Sequence, residues 1–217
     1  MRRVLLLCAL TLPACGYRAG APPRAAEAEA ARAAPRYPAD EAAWGRYHSK
    51  RFFVSFPLPD GKAWRIDDHS RPSLLAVHEP TSSRLEVLAT HEDELVNRHK
   101  CEARAHALGW VKSSALTTVE DQTTIGPGAY DSRVWVALDA GTPGGAVEGH
   151  VYMFGAHLRR CLLVHLSTKV ARAKDDDVLS ERLALARARI IAGLTLDPSR
   201  VSEDAPAVPR DKPEIVR

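Results

Sequence analysis

The chain has 217 residues, 45% of them hydrophobic and 26% charged, proportions that exclude a disordered or fibrous chain and suit one domain with a real core. Its 30 basic and 27 acidic side chains nearly cancel, and setting Arg2 and Arg3 aside leaves 28 against 27, a net of +1. That balance excludes the basic footprint of a nucleic-acid-binding protein.

The first sixteen residues read as an export signal. Arg2 and Arg3 form a positive leading region, Val4 to Leu12 an apolar run, and Ala14 supplies the small residue that signal cleavage needs. A spanning helix needs about 20 apolar residues, and this run stops at Pro13. Leu12-Pro13-Ala14-Cys15 resembles the lipobox of bacterial lipoproteins. The resemblance implies cleavage of residues 1–14, acylation of Cys15 as a covalent lipid in place of any other cofactor, and the membrane as partner through that anchor. Gly16 stands where enteric lipoproteins kept at the inner membrane carry aspartate, which implies the outer membrane, facing the periplasm.

With Cys8 leaving in the signal and Cys15 acylated, Cys101 and Cys161 are the remaining thiols. Outside the cytoplasm such a pair tends to oxidise. A disulfide between them is the expectation, closing a loop of about 60 residues and contributing about 2–4 kcal/mol. Two free, buried cysteines are the rival reading.

Residues 15–43 read as an Ala/Pro-rich tether with little apolar surface to offset the entropy of ordering, and residues 198–217, with four prolines among charges, as a disordered tail. The domain is expected over 44–197. Phe52 to Phe56, stopped by Pro57, and Ala63 to Ile66 across the Asp60-Gly61 turn suggest an opening hairpin. Leu74 to His78 and Arg84 to Ala89 form a second pair, with Leu85 and Val87 on one face. Thr90 and Asp93 read as a helix start and Gly109 as its stop, giving a weakly striped helix over His91 to Leu108. Trp110 to Glu120 and Tyr130 to Asp139 follow as strands, separated by Gly126-Pro-Gly128. After a turn at Gly141 to Gly145, Ala146 to Phe154 and His157 to Thr168 form a hairpin about Gly155-Ala156. Its register sets His150 opposite Cys161. One face then carries Val147, Val151, Met153, Leu158, Leu162, Val164 and Leu166; the other carries Glu148, His150, Tyr152, Cys161 and His165. Leu179, Leu183, Ala186, Ile190 and Leu194 stripe a closing helix opposite Glu181 and Arg182, with Asp175 to Asp177 at its start.

Two covered faces define an α+β fold: a mainly antiparallel sheet of about six to eight strands, the closing helix on the apolar face and the Cys101 helix on the mixed one. This order resembles the PsbP and DcrB-like α/β/α sandwich, whose members are mostly non-catalytic accessory or binding modules. The resemblance covers roughly Trp44 to Asp197.

No nucleophile elbow, Walker loop or dinucleotide fingerprint appears. His91, His99 and His106, on one helix, would be about 12 and 10 Å apart along its axis, too far for one ion. No metal site is expected. Two functional readings stand. The first is a non-catalytic binding or envelope-assembly module with an envelope protein as its partner. The second is a small-ligand receptor or enzyme using the mixed face at Glu148, His150, Tyr152 and His165, with Cys161 as a thiol beside His150.

Overall fold

The computed structural model describes residues 33–111, 116–125, 130–139 and 145–196. The signal segment, Cys15, the tether up to residue 32, the tail, and the turns around Pro127 and Pro143 lie outside the described residues. Among the described residues ten strands and two α-helices follow in the order β1 (Trp44–Ser49), β2 (Val54–Pro59), β3 (Trp64–Asp67), β4 (Leu74–His78), β5 (Ser83–His91), α1 (Arg98–Ala107), β6 (Thr117–Ile125), β7 (Asp131–Asp139), β8 (Val147–His157), β9 (Arg160–Val170), α2 (Asp176–Leu185) and β10 (Thr195–Leu196). The fold is α+β. Seven strands form one antiparallel sheet in the order β3-β4-β5-β9-β8-β7-β6, and three form a second sheet, β1-β2-β10.

The large sheet is covered on both faces. Val151, Met153, Leu162, Val164 and Leu166 meet Leu179 and Leu183 of α2 and the Val54, Phe56 and Leu58 row of the small sheet in the principal core. On the opposite face Tyr152, Phe154, Ala156, Cys161 and Leu163 pack with Cys101 and Ala105 of α1 in a second, smaller core. The alternation of β8 and β9 therefore assigns the strand side chains to the faces expected from sequence, whereas Leu158, expected on the apolar face, stands exposed in the turn between them.

The register of that hairpin differs. His157 pairs with Arg160, so the turn is Leu158-Arg159 and Ala156, not His150, stands opposite Cys161. His150 faces Ser167. The turn moves by three residues and the pairing by six, an even number, which preserves both faces because a strand alternates with period two. Gly155 was read as a turn former, but it serves a close approach: a Cβ there would lie 3.2 Å from the Tyr130 ring.

Three other boundaries move for physical reasons. His91 belongs to β5, paired with Arg160, and α1 starts seven residues later, where the Asn97 side chain accepts from Lys100 N–H at 2.9 Å. Gly109 ends it in the left-handed region, with Gly109 N–H bonded to His106 and Trp110 N–H to Ala105. The opening hairpin is β1 with β2 instead of β2 with β3, and Pro57 and Pro59 lie within β2. They are tolerated because β10 pairs only with Val54 and Ser55, leaving the proline half of β2 with a neighbour on one side alone.

The packed chain also begins earlier than composition implies. Tyr37, assigned above to the tether, is 2% exposed, its hydroxyl donating to Ser83 Oγ at 2.7 Å. Arg36 pairs with Asp177 and Glu181. Arg182, expected on the solvent side of the closing helix, is 1% exposed and donates to the Pro35 carbonyl through both Nε and Nη2.

Candidate functional site

The mixed face of the large sheet carries the polar residues that pattern singled out, and the strands set their order. One cross-strand row runs Glu86, His165, Tyr152, Trp135, Asp121 over β5, β9, β8, β7 and β6. The rings stack along it: Tyr152 on His165 at 4.3 Å and 8°, and Trp135 on Tyr152 at 5.4 Å and 30°. His150, from the adjoining row, places Nδ1 at 3.2 Å from His165 Nε2, an N–H to N hydrogen bond whose direction depends on the tautomers. Glu148, two residues before His150, is half-buried and opposite Lys169. All four of Glu148, His150, Tyr152 and His165 are engaged in further contacts.

Burial decides what this row can do. His150 is fully buried and Tyr152 1% exposed, beneath the cover that α1 and the residues after it supply. Half-buried His165 and Trp135 form the accessible margin. Stacked rings of this kind give rigidity and shape, with the imidazoles close enough to share one proton between them.

Cys101 and Cys161 are joined by a disulfide, with Cα atoms 5.4 Å apart, and both residues are fully buried. The sulfur of Cys161 is thus not a thiolate. The register also separates it from His150: Ala156 stands opposite Cys161, six residues from His150 along β8, or about 20 Å of strand. The Cys161–His150 arrangement expected in the second reading is not formed. Among the described residues no group of three or more His, Cys, Asp or Glu side chains could hold a metal ion. His91 lies on β5 while His99 and His106 are on α1, so those three are not on one helix.

Two arrangements escaped the sequence reading. A half-open groove of about 400 Å³ lies between β1 and the β2–β3 connection, lined by Trp44, Tyr47, Arg46, Asp60, Lys62 and Ile66. Its floor depends on two glycines, since a Cβ on Gly61 would come within 2.9 Å of the Gly45 Cα. Gly61 carries a turn signal in Asp60-Gly61, but its contact with Gly45 is tertiary and leaves no local mark. The second arrangement is a buried polar cluster of Tyr37, His78, Thr81, Ser83, Thr168 and Arg182. Burial pushes the His78 imidazole below its ordinary value, against a smaller opposing pull from Asp60. Position 182 falls on the helix stripe between Leu179 and Ala186, so spacing did mark it for the interior; its charge argued otherwise.

Fold and site together define an α+β protein with helices on both faces of an antiparallel sheet, one of them fastened by a disulfide, and a stacked imidazole–aromatic row beneath it. No described protein family and no curated protein sequence matches the chain. Among solved structures, a protein of Bacteroides thetaiotaomicron is similar at a TM-score of 0.41 and 12% identity, over 71% of this chain and 49% of that one. LpqN, involved in cell envelope biogenesis of Mycobacterium tuberculosis, is similar at a TM-score of 0.41 and 14% identity, over 76% of this chain and 99% of its own. The chain spans about half the length of the Bacteroides protein.

Proposed function

We propose that this chain is exported, acylated on Cys15, and held at the outer membrane facing the periplasm, where its domain acts as a non-catalytic binding or envelope-assembly module. The observation that supports this reading best is the buried Cys101–Cys161 disulfide. Buried disulfides persist in oxidising compartments and are rare in the cytosol. The two cysteines that pair are the two that a lipobox signal would leave behind, so the bond and the Leu12-Pro13-Ala14-Cys15 segment point to the same compartment by independent routes.

The binding role is favoured over chemistry by the state of the mixed face. His150 and Tyr152 have no surface to offer a substrate, and Cys161 has no free sulfur. Among the described residues, what the domain shows to its surroundings is edges, loops and the half-open groove.

The test is labelling with an alkyne fatty acid in the producing cell. Wild-type protein is expected to take up label and to fractionate with outer membranes, while Cys15→Ala stays unlabelled and in its precursor form. Label persisting on the alanine variant would refute acylation at this residue, and titration of two free thiols on the unfolded, unreduced protein would remove the argument for export.

A further inference from the structure

Leu95 and Leu158, 67% and 64% exposed, are two of the three large hydrophobic side chains that stand out to solvent among the described residues, and they share one end of the molecule. Leu158 is the first of the two residues that turn β8 into β9, and Leu95 lies in the loop between β5 and α1. Val96 N–H donates to the Leu158 carbonyl and Glu92 N–H to the Arg159 carbonyl, both at 2.8 Å, so loop and hairpin form one tip. Leu158 has φ +52°, in the left-handed region where glycine or asparagine is the unstrained choice. A leucine that is both strained and exposed at a turn is not selected by fold stability, which makes an outside contact the simpler reason for it.

The charges behind the two leucines have one sign left over. Glu92, Glu94 and Asp131 pair with Arg104, Lys100 and Arg98, and Asp93 is engaged as well. Arg159, exposed, and Arg160, half-buried, form no ion pair among the described residues. We propose that this tip docks on the anionic surface of a lipid bilayer, Leu95 and Leu158 entering the boundary between headgroups and acyl chains while Arg159 and Arg160 meet the phosphates. A specific protein partner needs about 1,000 Å² or more of matched surface, which two leucines on a convex tip do not supply. A bilayer needs no matching shape.

The inference rests on the lipid anchor proposed above, and chain length agrees with it. Pro35 is held at the Thr81 and Arg182 end of the sheet, while the tip lies beyond His91 and Arg160, about eight strand residues or 26 Å away. The 19 residue-to-residue steps from Cys15 to Ala34 can span up to about 65 Å, enough for an anchored domain to lay its far end on the same membrane.

The experiment places a nitroxide on Leu95→Cys, Leu158→Cys or the control Val119→Cys, which is 59% exposed on β6. Each is made in the full-length, acylated protein with its native disulfide verified by mass, and reconstituted in phosphatidylethanolamine–phosphatidylglycerol vesicles. Labels at 95 and 158 are expected to lose collisions with a water-soluble nickel complex and gain collisions with oxygen, while the label at 119 behaves as in water. Leu158→Gly is expected to raise the melting temperature, by relieving the turn, and to return a label at 95 toward water. If the protein floats with the vesicles and all three labels report water, the tip proposal falls and the anchor stands; if it does not float, both fall. Dipolar broadening between labels at 158 would mean contact between two copies and would also overturn it.

Discussion

Arg182 donates five hydrogen bonds and meets no carboxylate at ion-pair distance among the described residues. Nε and Nη2 both reach the Pro35 carbonyl, and Nη1 is shared by the Thr81 carbonyl, the Lys169 carbonyl and Thr168 Oγ1. Burial lowers the pKa of this guanidinium from its usual value, yet arginine stays charged at any physiological pH, so carbonyl dipoles do the work that a counterion would otherwise do. The arrangement fixes the segment before β1 to the last turn of α2, with the Arg36 ion pairs to Asp177 and Glu181 as an exposed and weaker supplement. Arg182→Met removes the donor from three carbonyls, that of Thr81 buried and those of Pro35 and Lys169 part-buried, while keeping most of the volume. A loss on the order of 3 kcal/mol is expected, since each unsatisfied buried acceptor costs about 1–3 kcal/mol and water recovers part of it. Urea denaturation measures the loss, and trypsin should cut after Arg36 faster in the variant. A methionine variant with wild-type stability and an uncut segment would show that the carbonyls need no such donor. Arg182→Lys should fall between, because one ammonium cannot serve both the Pro35 and the Thr81 sides.

The closing helix shows what spacing reveals and what it hides. Leu179, Leu183, Ala186, Ile190 and Leu194, picked out by their three- and four-residue steps, are all buried, and the faces of β8 and β9 followed from alternation alone. Periodicity is a property of the backbone geometry, so it survives when a turn is misplaced, as at Leu158-Arg159. Contacts between distant segments leave no such trace: Gly155 reads as a turn former and nothing local marks Gly149 or Gly193, although each makes room for a specific neighbour. A Cβ on Gly149 would meet the Leu183 side chain at 2.6 Å, and one on Gly193 would lie 2.2 Å from the Arg189 carbonyl oxygen and 3.0 Å from Pro57. The bonding there is unusual, with α2 continuing through Ala186–Ile191 in a wider turn that bonds Ala192 N–H to the Arg187 carbonyl five residues back. Substitution by alanine separates the two cases. Gly149→Ala can be met by a rotamer change of Leu183 and should cost about 1 kcal/mol; Gly193→Ala collides with backbone and should cost about 3 kcal/mol, near the upper end for overpacking. Equal melting temperatures for the two variants would mean that the helix end shifts as readily as a side chain.

At the scale of the molecule the disulfide joins two parts of unequal strength. The principal core, between the large sheet, α2 and the small sheet, holds about two dozen buried side chains, whereas the core under α1 is much smaller and α1 itself contributes only Cys101 and Ala105 as buried residues. A ten-residue helix with so little apolar surface is not stable alone and needs its fastening to the sheet. The bond spans 60 residues of sequence, for which the chain-entropy account allows about 4 kcal/mol, and native disulfides in small exported domains typically contribute about 2–5 kcal/mol. Reduction, or the double change Cys101→Ala and Cys161→Ala, should therefore release α1 first. Amide exchange is the measurement: in α1 and in Trp110 and Val111 protection should drop to that of an open segment, while Val151, Met153, Val164 and Leu166, buried beneath α2, keep theirs. The same release would uncover Tyr152 and the His150–His165 pair, turning a buried stacked row into exposed surface. If β8 and β9 lost protection together with α1, the two cores would be one cooperative unit and the subdivision proposed for them would be wrong. Independent loss would mean that redox state controls whether the mixed face is covered, and would restrict any ligand of that face to the reduced protein.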